Sequence, residues 1–499
     1  AMLVEDGKII DVGEVHQFNI NSSVEKIDLQ KRIVLPGFND AHIHIWKVGQ
    51  LESFIIDLRG IKSIAALQQK VKSVAEKLPK GTWITGRGFN EQVLEDKRMP
   101  SKEDLDVISQ DHPLYLIRTC AHIAAVNSLA LAKANINLLS TSPEGGVIGR
   151  DDQGNLTGIF YETALGLITK HIPPPSLQDY QQMILAGESK LLSAGITSAT
   201  DPAVHPELLE AYLALDKQKK LSLRCNLMPI LLPDGGDAPF PIPQKYFSDH
   251  IQVDTVKFFS DGGLSGKTAA ISRVYKNSAD HGVLRLEEKK FLTLATEAQR
   301  QGFRIGTHAI GDKAIDLVID VYKKLFAEFG NTRNRIEHFG LPTDEHIKAT
   351  AQFGFVPVPQ PIFIDELGEN FIQALDDEFL FRCYPIKSLL QRNIPVAFST
   401  DAPVVKNSNP WSCMKAAITR KTNQGNLISS QESVSMEESL RAYTLGSAFA
   451  EGAETIKGSL EKNKLADFQI VNKNPLQTAV DELESIRCEE VFVGGEKVK

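Results

Sequence analysis

Two histidines stand one residue apart at the end of the segment PGFNDAHIH, residues 36–44. Alternate side chains of a strand share a face, so His42 and His44 point the same way and Ala41 and Ile43 the other. Two imidazoles on one face can bind one metal ion, but a histidine pair can equally be held by hydrogen bonds to backbone or water. The pair alone leaves both interpretations open.

Three further metal-capable side chains end predicted strands. FRIGTH ends at His308, RIEH ends at His338 and VAFSTD ends at Asp401. Taken singly, each histidine is consistent with a structural role and the aspartate with a turn or helix cap. The carboxyl ends of barrel strands converge on one mouth, so these side chains together with the histidine pair favour a metal site.

Lys257 lies inside the apolar run of DTVKFFSDGG, several residues before Asp261. A lysine inside a buried strand needs a compensating partner. Its long stem can carry a carbamate, formed with carbon dioxide, which would bridge two metal ions with one oxygen on each. The alternative is an ammonium group paired with Asp261 or Asp201.

Short β-rich runs separated by helix-like segments position these residues, and this pattern is typical of a parallel sheet built from βα units. There are eight such runs, which predict an α/β fold of the (β/α)8 TIM barrel type over residues 37–455. They are Ile33 to Leu35 leading to His42, GITSAT from Gly195, LSLRCNLMPI from Leu221, DTVKFF from Asp254, FRIGTH from Phe303, NRIEH from Asn334, GFVPVPQ from Gly354 and IPVAFSTD from Ile394.

Two further regions do not follow this alternation of strands and helices. The long gap after the first strand predicts a large insertion at about residues 50–190, which we expect to wall the substrate pocket. The strand-like segments at the two ends predict a small β-sandwich domain made from residues 1–36 and 456–499. The opening AMLVEDGKIIDVG reads as a hairpin with Asp6 and Gly7 in its turn.

The composition sets limits on partners. The chain has 499 residues and a net charge of −8, and a mildly acidic protein of this kind does not favour a nucleic-acid partner. No apolar run reaches the roughly 18 residues that a membrane span needs. Five scattered cysteines without CxxC spacing indicate reduced thiols. We expect a cytoplasmic protein that binds a small molecule and not a membrane; a homodimer is one option for its oligomeric state.

The motifs PGFNDAHIH, VKFFSDGGLSGKTA, THAIGDKAID, RIEHFGLP, STDAPV and GSLEKNKLADFQIV together resemble the amidohydrolase superfamily. More specifically, they resemble its YtcJ-like branch of metal-dependent hydrolases, which includes N-substituted formamide deformylase. The resemblance implies two divalent metal ions, with zinc the usual one and iron or manganese suited to the same donors. It also implies the ligands: one metal on His42, His44 and Asp401, a second on His308 and His338, and Lys257 between them as an N6-carboxylated bridge.

The reaction implied is hydrolysis of an amide-type C–N bond in an N-formyl, N-acyl or cyclic amide. A metal-bridged hydroxide would attack the carbonyl, with Asp401 as general base and then general acid. Arg87 and His122, both in the insertion, are candidates for substrate binding, although a surface salt bridge and a structural role explain them equally well. One alternative is a mononuclear-metal deaminase, for which THAIGD lacks the usual glutamate. Another is a non-catalytic barrel that binds a small molecule, although all six metal-site positions are intact.

Overall fold

The computed structural model describes residues 1–18, 24–118, 122–143, 145–233 and 238–499. The chain forms two compact units, a larger one of residues 1–45 and 188–499 and a smaller one of residues 46–187. The unit boundaries fall within the helices Ile45–Ser53 and Leu177–Ser193. Within the described residues, no helix combines the length and the apolar character that crossing a membrane would require.

Parallel strands form the centre of the larger unit, which is a mixed α/β structure. One sheet has the strand order Tyr246–Phe247, Ile251–Val253, Arg224–Pro229, Ile196–Val204 and Phe38–Asp40, all parallel except the first pair. A second sheet has four parallel strands, Thr255–Phe259, Arg304–Ala309, Arg335–His338 and Val356–Val358. Seven of the eight predicted runs therefore contain or lead into a parallel strand.

The eighth run, residues 394–401, is not a strand. Its contacts to the neighbouring strands are isolated backbone hydrogen bonds: Ala41 donates to the Phe398 carbonyl at 3.1 Å, and Ala397 donates to the Pro357 carbonyl at 3.4 Å. Pro395 has no N–H group, and a proline interrupts a ladder of hydrogen bonds. This segment therefore runs beside both sheets without a regular ladder.

The first run, Ile33 to Leu35 leading to His42, is divided between two sheets. Ile33–Pro36 pairs antiparallel with Phe468–Val471, near the other end of the chain, and the parallel strand is the following segment, Phe38–Asp40. Gly37 lies between the two strands at a tight packing point, because a Cβ atom there would lie 2.1 Å from Thr197 Oγ1. The glycine lets the chain pass closely from one sheet into the other.

The two chain ends share one antiparallel sheet, with the order Glu496–Lys497, Cys488–Val493, Phe468–Val471 and Ile33–Pro36. The predicted opening hairpin is confirmed, since Met2–Glu5 pairs antiparallel with Lys8–Val12. Phe468 and Phe492 stack with ring centroids 4.5 Å apart, in an apolar cluster that also contains Ile9.

Amphipathic helices accompany the parallel strands of the larger unit. Asp312–Phe329 buries one apolar face and stops at Gly330, whose φ of 74° is left-handed. The other α-helices that lie wholly in this unit are Pro206–Lys217, Glu288–Arg300, Asp344–Phe353, Ile362–Ala374, Asp377–Phe381, Ile386–Gln391, Pro410–Thr419, Met436–Arg441 and Ser447–Glu451.

The smaller unit contains a six-stranded mixed sheet with its own apolar core. The strand order is Ile55–Asp57, Ile84–Phe89, Leu114–Arg118, Ile123–Val126, Leu156–Glu162 and Gly146–Arg150. The short α-helices Ile64–Ala75, Lys102–Asp106, Ser128–Lys133 and Gly166–Thr169 complete it. The four described cysteines of the chain are free thiols, and Cys120 lies outside the described residues.

Candidate metal centre

His42 and His44 lie just beyond the strand Phe38–Asp40, and both rings turn their Nε2 atoms towards Asp401. The distances to Asp401 Oδ1 are 3.5 Å from His42 Nε2 and 3.2 Å from His44 Nε2. The three side chains are buried, and one ligand atom of each lies within 4.8 Å of the others. Among the described residues, this is the only group of three or more such side chains that meets in this way. Two imidazole nitrogens and a carboxylate oxygen suit zinc, iron or manganese.

The backbone holds these three residues together. Asp401 donates its N–H to the His42 carbonyl at 2.7 Å, and His44 donates its N–H to the Ala402 carbonyl at 3.0 Å. Asp401 has a φ of 57° and His338 a φ of 72°, which are left-handed values rarely adopted by residues other than glycine. Such backbone strain concentrates at functional sites, where the surrounding structure enforces it.

The carboxyl group of Asp401 is ionised at neutral pH. Burial by itself would raise its pKa, but the hydrogen bond from His44 and the electrostatic effect of the neighbouring histidine rings bring the pKa below its ordinary value. The pKa of His42 falls to about 4, mainly because the ring is buried and also because Lys257 is close. Both groups therefore present unprotonated ligand atoms.

His308 and His338 lie beside this group, and within the described part of the chain they belong to no second group of three. The ring centroid of His338 is 4.9 Å from that of His42 and 4.4 Å from that of His308. His338 Nδ1 lies 2.7 Å from Gln360 Oε1. His308 Nε2 faces the Gly262 carbonyl oxygen at 3.1 Å.

Lys257 reaches the same region from the strand Thr255–Phe259 and is fully buried. Its charge contributes to lowering the pKa of both His42 and His338, after the larger effect of burial. Of the two carboxylates considered as its partners, Asp261 accepts three backbone N–H groups, from Ala270, Ile310 and Gly311. The other, Asp201, accepts the Tyr212 hydroxyl at 2.6 Å.

Two buried carboxylates at this site were missed by the sequence analysis. Glu337 Oε2 lies 2.6 Å from His42 Nδ1, and both oxygens of Glu337 bind the Arg335 guanidinium. Asp40 accepts hydrogen bonds from the Thr400 hydroxyl at 2.8 Å and the Tyr443 hydroxyl at 2.9 Å, and burial raises its pKa to about 7. Strand alternation within RIEH places Arg335 and Glu337 on one face, and a pair of opposite charges inside a buried strand was the available signal.

The sequence profile of the amidohydrolase family matches residues 25–499. The chain belongs to the amidohydrolase family. It is an amidohydrolase-type hydrolase, acting on C–N bonds other than peptide bonds.

Individual relatives agree with this assignment. The chain is 27% identical to YtcJ of Bacillus subtilis, a protein assigned to the amidohydrolases, over 100% of this chain and 95% of that one. It is 26% identical to N-substituted formamide deformylase of Arthrobacter pascens, over 99% of this chain and 94% of that one. A metal-dependent hydrolase from Pyrococcus horikoshii superposes with a TM-score of 0.79 at 26% identity, covering 96% of this chain and 95% of that chain.

The two substrate-binding candidates of this amidohydrolase both lie in the smaller unit. Arg87 is an exposed residue of the strand Ile84–Phe89. His122 is also exposed, and its Nδ1 lies 2.9 Å from Glu162 Oε2. The structure thus pairs His122 with a carboxylate of its own unit, and a substrate role for either residue stays a prediction.

Proposed function

We propose that this amidohydrolase cleaves an amide-type C–N bond of a small molecule, with N-formyl, N-acyl and cyclic amides as the substrate classes. The observation that carries the proposal is the convergence of His42 Nε2, His44 Nε2 and Asp401 Oδ1 in one buried group. The full-length similarity to N-substituted formamide deformylase supports N-formyl compounds as the first class to test.

The donor set fits divalent zinc best, with iron and manganese as alternatives. His42, His44 and Asp401 would hold one ion. His308, His338 and a carboxylated Lys257 would hold a second beside it. When bound, such ions act as Lewis acids that polarise a carbonyl and lower the pKa of water towards neutrality.

Asp401 carries the proton transfers in this proposal. Its carboxylate, unprotonated at neutral pH, accepts a proton from the attacking water as the new C–O bond forms at the carbonyl carbon. The protonated carboxyl then donates that proton to the nitrogen as the C–N bond breaks. An amide anion is a poor leaving group, so this second transfer is needed. The products are a carboxylic acid and an amine.

We also propose the finer architecture. The two parallel sheets and the segment 394–401 would close into a (β/α)8 barrel over residues 37–455, with the insertion at about 50–190. The isolated parallel bridge between Ile230 and Lys257, and the hydrogen bond from Ala41 to Phe398, support this closure. Residues 1–36 and 456–499 would form a small β-sandwich, which the antiparallel pairing of Ile33–Pro36 with Phe468–Val471 supports.

A mononuclear deaminase is the second candidate. The orientation of His308 favours this candidate, because its Nε2 faces the Gly262 carbonyl oxygen. The His42, His44 and Asp401 group would then be the single metal position. Against it, the segment THAIGD that contains His308 has no glutamate to act as the acid.

The test is a substrate panel of N-formyl amines, N-acyl amino acids, cyclic amides and aminated heterocycles, with products identified by mass spectrometry. Zinc-loaded protein is expected to release an amine and a carboxylate from at least one amide class. Chelator-treated protein should be inactive and recover when zinc is added back. Release of ammonia from the heterocycles alone would replace amide hydrolysis with deamination.

A further inference from the structure

Two histidines of the centre are each bound at Nδ1 by an acceptor from another part of the chain. His42 Nδ1 lies 2.6 Å from Glu337 Oε2, and His338 Nδ1 lies 2.7 Å from Gln360 Oε1. The orientation of the Gln360 amide is fixed, because its Nε2 donates to the Val358 carbonyl and the Ser399 hydroxyl. An acceptor at Nδ1 places the proton there and leaves Nε2 as the free ligand atom.

The two acceptors differ in charge. Glu337 is a carboxylate clamped by the Arg335 guanidinium, with Nε to Oε1 at 2.8 Å and Nη2 to Oε2 at 3.1 Å. Both side chains are completely buried. The acceptor on His338 is a neutral amide. A carboxylate acceptor increases the basicity of the ligand histidine more than an amide does.

The same guanidinium also fixes the backbone before His42. Arg335 Nη2 donates to the Ala41 carbonyl oxygen at 2.6 Å. One buried side chain thus orients the carboxylate at the His42 ring and binds the peptide that leads into that residue. A charge pair that served only the stability of the strand would not need to contact both the ring and its adjoining peptide.

We propose that Glu337, clamped by Arg335, is the positioning residue of His42 and makes the His42, His44 and Asp401 group the tightest metal position of the protein. The proposal rests on the proposed function, since it assumes that this group binds a metal. Glu337 acts by fixing the Nδ1–H tautomer and aiming Nε2 towards His44 and Asp401.

Glu337→Gln tests the proposal, because glutamine keeps the length of the side chain and removes the charge. Zinc affinity of the metal-free protein is measured by competition with a chromophoric chelator. We expect the dissociation constant of the tightest zinc to rise about 10–100-fold. In metal-free protein labelled with 15N-histidine, the His42 signal should also lose its fixed Nδ1–H tautomer, which a merely structural role would not change.

Glu188→Gln is the matched control. Glu188 is a buried carboxyl of the larger unit that accepts the backbone N–H groups of Ser222 and Leu223, and no histidine of the described residues binds it. Its replacement should leave the zinc dissociation constant within twofold of the wild-type value. A weakening equal to that of Glu337→Gln would mean that any buried carboxyl has this effect, and would overturn the proposal.

Glu337→Gln leaves the buried Arg335 guanidinium without its carboxylate partner, and this variant could fail to fold for that reason alone. A second variant is therefore included. Arg335→Gln/Glu337→Gln removes both charges together, and the same rise in the zinc dissociation constant is expected. Unchanged zinc affinity in either folded variant overturns the positioning role. Failure of the wild-type protein itself to bind zinc, iron or manganese is a different result, because it removes the proposed function as well.

Discussion

A buried ion pair links a parallel strand of the larger unit to the sheet formed by the chain ends. Arg224, the first residue of the strand Arg224–Pro229, binds Asp467 with Nε to Oδ2 at 2.6 Å and Nη2 to Oδ1 at 2.9 Å. The two side chains are 10% and 5% exposed. Asp467 Oδ1 also accepts the Gly494 N–H at 2.8 Å, so one carboxylate binds three donors.

Asp467→Asn removes the negative charge with little change of shape and leaves the guanidinium buried without a counter-charge. Breaking a buried pair in this way costs about 3–5 kcal/mol of unfolding free energy. Glu328→Gln is the control, because Glu328 forms an ion pair with Arg300 at the surface, where the two side chains are 48% and 59% exposed. Solvent screens such a pair, and its loss costs about 0–1 kcal/mol.

The assay is urea unfolding of the metal-free proteins, followed by circular dichroism. We expect a clearly lower midpoint for Asp467→Asn and a midpoint close to wild type for Glu328→Gln. Equal midpoints for the two variants would contradict a stabilising role for the Arg224–Asp467 pair. They would show that the Arg224 guanidinium is solvated after the substitution and that the pair does not hold the terminal sheet to the strand.

Proton transfer, pH dependence and close packing can each be tested by a single substitution. Asp401→Asn removes the group that exchanges protons, so amine release should fall about 10²–10⁴-fold at unchanged circular dichroism; full activity would remove Asp401 from the proton transfers. Burial raises the pKa of Glu188 from 4.5 to about 7, so the native state holds this proton more tightly than the unfolded state and stability falls as pH rises between those values. Glu188→Gln should remove this pH dependence of the unfolding free energy, which amounts to about 3 kcal/mol between pH 4.5 and 8 and is measured by urea unfolding. If the unfolding free energy of the variant fell with pH as steeply as that of the wild type, the role of Glu188 would be contradicted. Gly49→Ala would place a Cβ atom 1.7 Å from the Met183 carbonyl oxygen and should destabilise the smaller unit by about 1–3 kcal/mol. Gly166→Ala should not, because no described atom outside its own helix and chain neighbours lies within 4 Å of the added Cβ.

Local patterns predicted most of the parallel strands. The runs that became Ile196–Val204, Arg304–Ala309 and Arg335–His338 were recognisable because β-rich segments alternate with amphipathic helices. The two chain ends were expected to share one small β domain, but the pairing of Ile33–Pro36 with Phe468–Val471 in particular was not predicted, because the two strands lie near opposite ends of the chain. Pairing between such distant segments leaves no local trace in the sequence.

The candidate site shows the same division. Residue type and position at strand ends singled out His42, His44 and Asp401, which the structure brings together. The sequence could indicate Arg335 and Glu337 as a buried charge pair, but it could not predict that Glu337 contacts His42, because that contact depends on the relative placement of two segments far apart in the chain. The left-handed backbone of Asp401 also has no signature in its residue type.

Metal content per chain, measured by elemental analysis, is the most direct test of the proposed two-metal centre. The protein is purified without chelator, once after ordinary growth and once after growth in excess zinc. We predict two zinc ions per chain after zinc supplementation, with the His42, His44 and Asp401 position filled first. A measured content of one ion per chain would mean that metal binds only at that position and that Lys257 is not a carbamate bridge. A protein that contains no zinc, iron or manganese under either condition would contradict the proposed metal centre.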